Sequence, residues 1–292
     1  MASLRDVKSK ITGVKKTKQI TKAMNMVASA KMRNAQARIE RFRPYAAKFY
    51  EMLKDLASGA DASVHPLLEV REEVKTVGIV LVTSDRGLCG SFNTNLLKMA
   101  ARLAVSKKAE GKAIKFYCVG KKGRDMARKL EYEIGLQYPD AMNSFDFSLA
   151  NEIGMEIIAG YLAGDLDEVQ LIYGEFVSMA KQPAVTLQVL PIAQQGEAEE
   201  APAGTKAEYV YEPSVEGLLA ELLPRFIKVQ IYRGLLDTSA SEHAARMAAM
   251  DNATRACDDM TQALTLLYNK TRQTSITREL MDIVGGAEAL KG

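Results

Sequence analysis

Apolar residues recur along the first part of the chain with the alternating three- and four-residue spacing of a heptad repeat. Between residues 4 and 56, thirteen of the sixteen positions in this series are apolar. Such spacing over about seven heptads predicts one long helix in a coiled coil. The series reads Leu4, Val7, Ile11, Val14, Lys18, Thr21, Asn25, Ala28, Met32, Ala35, Ile39, Phe42, Ala46, Phe49, Leu53 and Leu56.

Two residues weaken this helix, and three polar residues interrupt its apolar seam. Gly13 costs about 1 kcal/mol relative to alanine, and Pro44 kinks the helix or removes one hydrogen bond. Lys18, Thr21 and Asn25 occupy seam positions. We therefore expect the seam to change its partner there or to be wetted by solvent.

A second long helix is predicted near the other end of the chain, over residues 214–284. Apolar and small residues recur there at helical spacing, and residues 244–256 include six alanines. Small side chains of this kind let two helix axes approach closely. Gly285 and Gly286 follow, and we expect them to end the helix, because glycine is common just after a helix C-terminus.

The lengths of these two helices predict how they are arranged. At 1.5 Å per residue they span about 80 Å and about 105 Å. A compact chain of this size is only about 50 Å across. Neither helix fits inside such a body, so we expect the two to pair antiparallel as a coiled-coil shaft, with the intervening residues forming a globular domain at one end.

The middle of the chain predicts a doubly wound, Rossmann-like α/β domain. Residues 77–83 form a continuous apolar, β-branched run, which is typical of a buried parallel strand. Further strands are predicted at 114–120, 169–176 and 185–192, the last two joined by a turn around Gln182 and Pro183, and helices at 94–109, 121–130 and 148–163. Alternation of strands and helices predicts a three-layer domain.

The predicted boundaries divide the chain into three parts. Residues 1–57 form the first shaft helix, residues 58–207 the α/β domain, and residues 208–292 the second shaft helix. The α/β domain begins with a linker at 58–66 and ends with an acidic loop at 193–207 that is rich in glycine, proline and alanine.

The charge is distributed unevenly, although the net charge of the 292 residues is only +3. Residues 1–48 hold thirteen lysines and arginines and two acids, so this segment carries +11 and the remainder −8. A basic segment of this kind suits nucleic acid, anionic lipid or an acidic protein surface, or is simply a solvated helix face. It also resembles a mitochondrial transit peptide, but the heptad register continues beyond any plausible cleavage site.

The residues suggest no catalytic, cofactor or metal site. Ser84, Asp85, Gly87, Cys89 and Gly90 follow the first strand, where α/β folds bind phosphates, yet the chain has neither GxGxxG nor GxxxxGK[ST]. With two histidines and three cysteines, neither a His-rich metal site nor a disulfide framework is expected. No apolar run reaches the roughly 18–20 residues that span a bilayer.

Four segments resemble the gamma subunits of F-type ATP synthases, and the resemblance extends from residue 3 to residue 289. The segments are ITKAMNMVASAKMR (20–33), SDRGLCG (84–90), YVYEP (209–213) and YNKTRQTSITRELMDIVGGAEA (268–289). The loop 193–207 lacks the regulatory cysteines of the chloroplast members, which favours a bacterial type.

The resemblance implies a non-catalytic rotor stalk. The paired helices would turn inside a hexamer of alpha and beta subunits, while the α/β domain binds the epsilon subunit and sits on the ring of c subunits. Proton flow through the ring would drive the rotation. The chain would then be a peripheral protein on the cytoplasmic face of the bacterial plasma membrane, with no cofactor of its own and no nucleic-acid partner.

The resemblance also assigns contacts to individual residues. The implied beta-subunit contacts are Met24, Arg272, Gln273, Thr277 and Glu279, and the implied contacts with the c-ring and epsilon subunit are Tyr211 and Glu212. An added charge at Met24 would create an extra ionic bond with the beta subunit. Alternatively, Met24 simply packs on a neighbouring helix, and Arg272 and Glu279 are merely solvated.

Two other classes of function stay open from the residues alone. A nucleic-acid-binding coiled coil could use the basic segment, although that segment lacks interleaved aromatic residues. A small-molecule enzyme could use the α/β domain. Neither class explains two helices that are longer than the body.

Overall fold

A computed structural model describes residues 3–58, 65–69, 71, 73–192 and 215–290. Five helices and five strands are described there, together with a 3₁₀ turn at Ala141–Asn143. In chain order the elements are α1 (Leu4–Ser58), β1 (Thr76–Val82), α2 (Phe92–Ala109), β2 (Ala113–Val119), α3 (Lys121–Lys129), β3 (Glu133–Tyr138), α4 (Phe147–Ala163), β4 (Glu168–Gly174), β5 (Ala184–Leu190) and α5 (Val215–Ala289).

The five strands form one mixed sheet in the order β3-β2-β1-β4-β5. The first four strands are parallel, and β5 returns antiparallel to β4, with Gly174 opposite Ala184. Every predicted strand and helix of the α/β domain is present. The strand β3 was not predicted, because this edge strand alternates half-buried and exposed residues and has no continuous apolar run.

The sheet is covered on both faces, as the doubly wound prediction requires. Alternate residues of β1 face opposite sides: Ile79 and Leu81 pack against α2 and α3, whereas Val80 and Val82 pack in a cluster with α4, α1 and α5. Because β1 is the central strand and is buried on both sides, its sequence reads as a continuous apolar run.

The contacts divide the chain into two compact units, residues 1–29 with 246–292 and residues 30–245. The second unit contains the sheet and the adjoining parts of α1 and α5. There the helices pair antiparallel, since Phe42 meets Tyr232 at 5.0 Å between ring centroids and Phe49 meets Phe226 at 6.5 Å. The division into 1–57, 58–207 and 208–292 stays a prediction, because its boundaries fall in or beside segments outside the described residues.

The heptad prediction for α1 is confirmed by burial. Every seam position from Leu4 to Leu53 is buried or half-buried, while the side chain of Leu56 lies outside the described part. The helix starts with a reciprocal cap, in which the Ser3 amide donates to the Asp6 carboxylate at 3.1 Å and the Asp6 amide donates to Ser3 Oγ at 3.2 Å.

The predicted end of the second helix is wrong. The helix α5 continues through Gly285 and Gly286 to Ala289. Neither glycine adopts a positive φ angle, so neither forms the left-handed turn that ends many helices. Glycine in a helix costs about 1 kcal/mol but does not forbid helical angles.

Candidate functional site: the paired terminal helices and their exposed end

The three polar seam residues of α1 all contact α5. Lys18 Nζ lies 2.5 Å from the Asp258 carboxylate, and Thr21 Oγ1 lies 2.8 Å from Thr254 Oγ1. Asn25 Nδ2 donates to the backbone carbonyl of Met247 at 2.9 Å. The partner numbers fall as the α1 numbers rise, so these parts of α1 and α5 pair antiparallel, as predicted. The seam keeps its partner at the polar positions.

The last turns of α5 extend beyond this pairing. The register of the polar contacts places Leu4, the first residue of α1, level with the turn of α5 that contains Arg272. From residue 276 to residue 290 every side chain is exposed. Six of them are large and apolar: Ile276, Leu280, Met281, Ile283, Val284 and Leu290.

The four predicted contact residues in α5 lie on this exposed end or at its start. Arg272, Gln273, Thr277 and Glu279 are all exposed, and Glu279 accepts a hydrogen bond from Ser275 Oγ at 3.2 Å. Gln273 and Thr277 are one turn apart on the same face. These side chains are available to a partner surface, as a polar contact would require.

The predicted contact at Met24 lies elsewhere. Met24 is half-buried on the flank of the α1 seam. It is level with the alanine-rich part of α5, roughly 30 Å along the helix from Arg272 at 1.5 Å per residue. The structure therefore does not bring Met24 together with the α5 residues. Tyr211 and Glu212 lie outside the described residues.

The turn after β1 is filled by side chains of the chain itself. Asp85 is buried, and its carboxylate accepts from the backbone amides of Lys121 at 3.0 Å, Asp140 at 2.8 Å and Met142 at 3.2 Å. Lys121 is the first residue of α3, so the carboxylate occupies a position that suits an anion. This role of Asp85 was not predicted, because its three amide donors lie 36 to 57 residues away in the sequence.

The backbone also packs closely at this end of the sheet, where β1 and β2 finish. Gly120 has φ +89°, and a Cβ there would lie 2.2 Å from the Thr83 carbonyl oxygen. Thr83 Oγ1 accepts from the Gly123 amide at 2.8 Å, and Ser84 and Asn93 share hydrogen bonds at 2.7 and 3.0 Å. The motif that follows β1 is thus a packed, internally bonded turn.

Two of the three cysteines, Cys89 and Cys118, are buried in the fold. Cys89 is buried and accepts from Asn93 Nδ2 at 3.1 Å. Burial raises the pKa of Cys118 to about 12, so this thiol stays protonated and unreactive. Within the described part of the chain, no group of three histidines, cysteines or acids could hold a metal ion, and no helix there is long and apolar enough to cross a membrane.

Comparisons with known proteins identify the family. A family model described as ATP synthase matches residues 3–290. The protein named ATP synthase gamma chain from Nitratidesulfovibrio vulgaris (strain Miyazaki F) is 74% identical over 294 residues, and that from Maridesulfovibrio salexigens is 71% identical over 292. Both comparisons cover 100% of each chain. This chain belongs to the ATP synthase gamma chain family.

Solved structures agree with this membership. A chain of the mitochondrial ATP synthase central stalk and c-ring of Tetrahymena thermophila is 28% identical, with a TM-score of 0.60 over 80% of this chain and 99% of that chain. A chain of the Euglena gracilis enzyme has a TM-score of 0.68 over 98% and 94%, and at 20% identity it supports the fold alone. A gamma chain is a non-catalytic subunit of the ATP synthase complex, and the predicted resemblance is confirmed.

Proposed function

We propose that this chain is the central rotor stalk of a bacterial F-type ATP synthase and transmits torque between the c-ring and the hexamer of alpha and beta subunits. The observation that carries the proposal is the exposed apolar end of α5 at residues 276–290. Exposed apolar surface of this extent marks a site of interaction with another protein. An apolar sleeve at the centre of the hexamer would cover it and still let it turn.

The other predicted partners belong to the same proposal. The α/β domain would bind the epsilon subunit, and Tyr211 and Glu212 would contact polar loops of the c-ring. The membrane would hold the chain only through that ring, on its cytoplasmic face. The likeness to a central-stalk chain from Tetrahymena thermophila supports this arrangement. Affinity purification of the chain from its own membranes, followed by identification of the copurified subunits, tests it.

Contact with the beta subunit is proposed at two levels of the helix pair. At the first level Met24 lies beside a strongly basic part of α1, which suits acidic side chains on a partner. A lysine at this position would add an attraction that must break at every rotation step. Even about 1 kcal/mol of added attraction slows that step several-fold. We expect Met24→Lys to lower coupling of hydrolysis to proton pumping more than it lowers hydrolysis.

At the second level we expect a polar contact with the beta subunits, which we call the catch. It would involve Arg272 and its polar neighbours Gln273, Thr277 and Glu279. A guanidinium bonds a carboxylate through two parallel hydrogen bonds, and such a charged contact contributes about 1.5–3 kcal/mol. Arg272→Ala should therefore change dwell times and turnover without dissociating the complex. Arg272→Lys should restore only part of the effect, because a point charge lacks the fork geometry.

Single-molecule rotation and steady-state hydrolysis on intact complexes test the catch. Arg255→Ala is the matched control: it removes an exposed arginine from the same helix, and Arg255 is already paired with Asp251 one turn away. Unchanged dwell times and turnover in Arg272→Ala would mean that this face is only solvated.

A further inference from the structure

Three polar contacts cross the helix pair within two turns of α1. They join Lys18 to Asp258, Thr21 to Thr254, and Asn25 to the carbonyl of Met247. The flanking seam positions Val14 and Ala28 are apolar. We call these three contacts the polar ladder.

The central rung of the ladder is buried and closely bonded. Thr21 is 8% exposed, and its hydroxyl lies 2.8 Å from that of Thr254. Each hydroxyl also lies near a carbonyl of its own helix, Lys18 O at 3.0 Å and Met250 O at 2.8 Å. Each threonine has one proton, so one hydroxyl donates across the seam and the other donates back into its own helix. A displacement of about 1 Å would break this arrangement, because hydrogen bonds weaken steeply outside a narrow range of distance and angle.

The sequence of α5 makes one register better than its neighbours. Sliding α5 by one heptad in one direction places Thr265 level with Lys18, which removes the carboxylate partner. Sliding it in the other direction keeps an acid, Asp251, level with Lys18 but sets Met247 against the buried hydroxyl of Thr21. Apolar seam contacts discriminate far less between such registers, whereas a polar seam residue is well suited to specify one.

We propose that the polar ladder is an axial tie, which fixes the register of α1 against α5 and resists sliding of one helix along the other. Twisting a pair of supercoiled helices requires them to slide, so the tie would stiffen the pair under load. This second role rests on the proposed function as a torque-transmitting stalk. The register role does not depend on it.

The test compares assembled complexes that carry the wild-type ladder with complexes that lack it. The ladderless chain combines Thr21→Val, Thr254→Val and Asn25→Leu, which keep the seam packed, with Lys18→Met, which removes the ion pair to Asp258. The control is Thr265→Val, which removes a hydroxyl that bonds only within its own helix, to Thr261 O at 2.7 Å. Should the fourfold variant fail to assemble, the two valine substitutions alone carry the test.

Register is read from the distance between spin labels. Labels are placed at the exposed residues Lys16 and Asp259, in a Cys257→Ala background that removes the half-buried thiol. We expect one narrow distance distribution for wild type and for the control. For the ladderless chain we expect a distribution that is broadened toward registers displaced by up to about 10 Å, one heptad at 1.5 Å per residue.

Torsional stiffness of the stalk is then measured by single-molecule rotation of the same complexes. We expect the ladderless stalk to be softer than wild type and the control to match wild type. Identical distance distributions in the ladderless and wild-type chains would overturn the register role. A broadened distribution with unchanged stiffness would overturn the stiffening role. Failure of the wild-type chain to rotate at all would instead contradict the proposed function.

Discussion

Replacing Asp85 by alanine removes the carboxylate that three backbone amides share. The amides of Lys121, Asp140 and Met142 donate to it at 2.8–3.2 Å, and Asp85 is 9% exposed. Two of these amides come from the loop after β3 and one from the start of α3. We expect the substitution to loosen the connection between these segments and to leave the opposite edge of the sheet intact.

The magnitude follows from the lost hydrogen bonds. A hydrogen bond to a charged group contributes about 1.5–3 kcal/mol, and a buried donor without a partner costs about 1–3 kcal/mol. Water can enter the vacated space and accept hydrogen bonds from some of the three amides. We therefore expect a local destabilisation of about 3–4 kcal/mol, below the roughly 4.5–9 kcal/mol to which three such bonds would sum.

Hydrogen exchange of the assembled complex, read by mass spectrometry, measures this effect segment by segment. At about 1.4 kcal/mol per factor of ten, exchange of residues 120–123 and 138–143 should accelerate by about a hundredfold or more. The matched control is Asp140→Asn. Asp140 carries an exposed carboxylate paired with Lys121 Nζ at 2.7 Å, and asparagine tolerates its left-handed φ of 62°.

Added anion provides a second readout. The three amides of Lys121, Asp140 and Met142 form an anion site that the Asp85 carboxylate occupies. Sulfate should therefore bind there in Asp85→Ala and slow its hydrogen exchange. At a sulfate concentration ten times the dissociation constant, the recovery is about 1.4 kcal/mol. Sulfate should have no such effect on wild type or on Asp140→Asn at matched ionic strength. Equal exchange in Asp85→Ala and the control, or no specific effect of sulfate, would refute the reasoning.

Three further predictions concern other buried groups of the chain. Burial raises the pKa of Asp237 to about 6, with Arg233 opposing the shift, so the chain loses stability as pH rises from about 4 through 6. Asp237→Asn should therefore raise stability by about 1–3 kcal/mol at pH 8 and by nothing at pH 4, which thermal unfolding at both pH values checks. Burial alone would raise the pKa of Asp167, but hydrogen bonds from the backbone and from Arg71 lower it on balance. Asp167→Asn should cost about 2 kcal/mol at pH 7, and the difference should vanish as pH falls through the lowered pKa; a difference that persists in acid would contradict this cause. Cys89→Ser should cost at most about 1–2 kcal/mol and leave ATP synthesis nearly intact, and lost synthesis in a stable, assembled complex would reveal a chemical role of the thiol.

Local periodicity was enough to predict most of the elements. The seam of α1 was predicted correctly from Leu4 to Leu53. Residues that are buried between two paired helices recur at the heptad spacing, and that spacing is visible in the sequence. The central strands were read correctly because a strand that is buried on both faces must be apolar throughout. The edge strand β3 was missed because it is half-buried and does not meet that condition.

Antiparallel pairing followed from helix length, from the apolar stripe of each helix and from the position of the α/β domain between them, and the family followed from four specific segments. The sequence could not predict what the polar residues of the seam do. Thr21 reads as an interruption until Thr254, 233 residues away, is known to face it. The end of α5 was misjudged for a related reason, since two glycines shift the helix energy by only about 2 kcal/mol in total.

Tertiary structure decided which polar groups meet. Asp85 follows β1 as an ordinary turn residue, and only the fold brings the amides of Lys121, Asp140 and Met142 to it. Hydrophobic burial depends mainly on the pattern of each segment, so it can be read from the sequence. A hydrogen bond between distant segments depends on the positions of two groups to within a few tenths of an ångström, and that precision exists only in the folded chain.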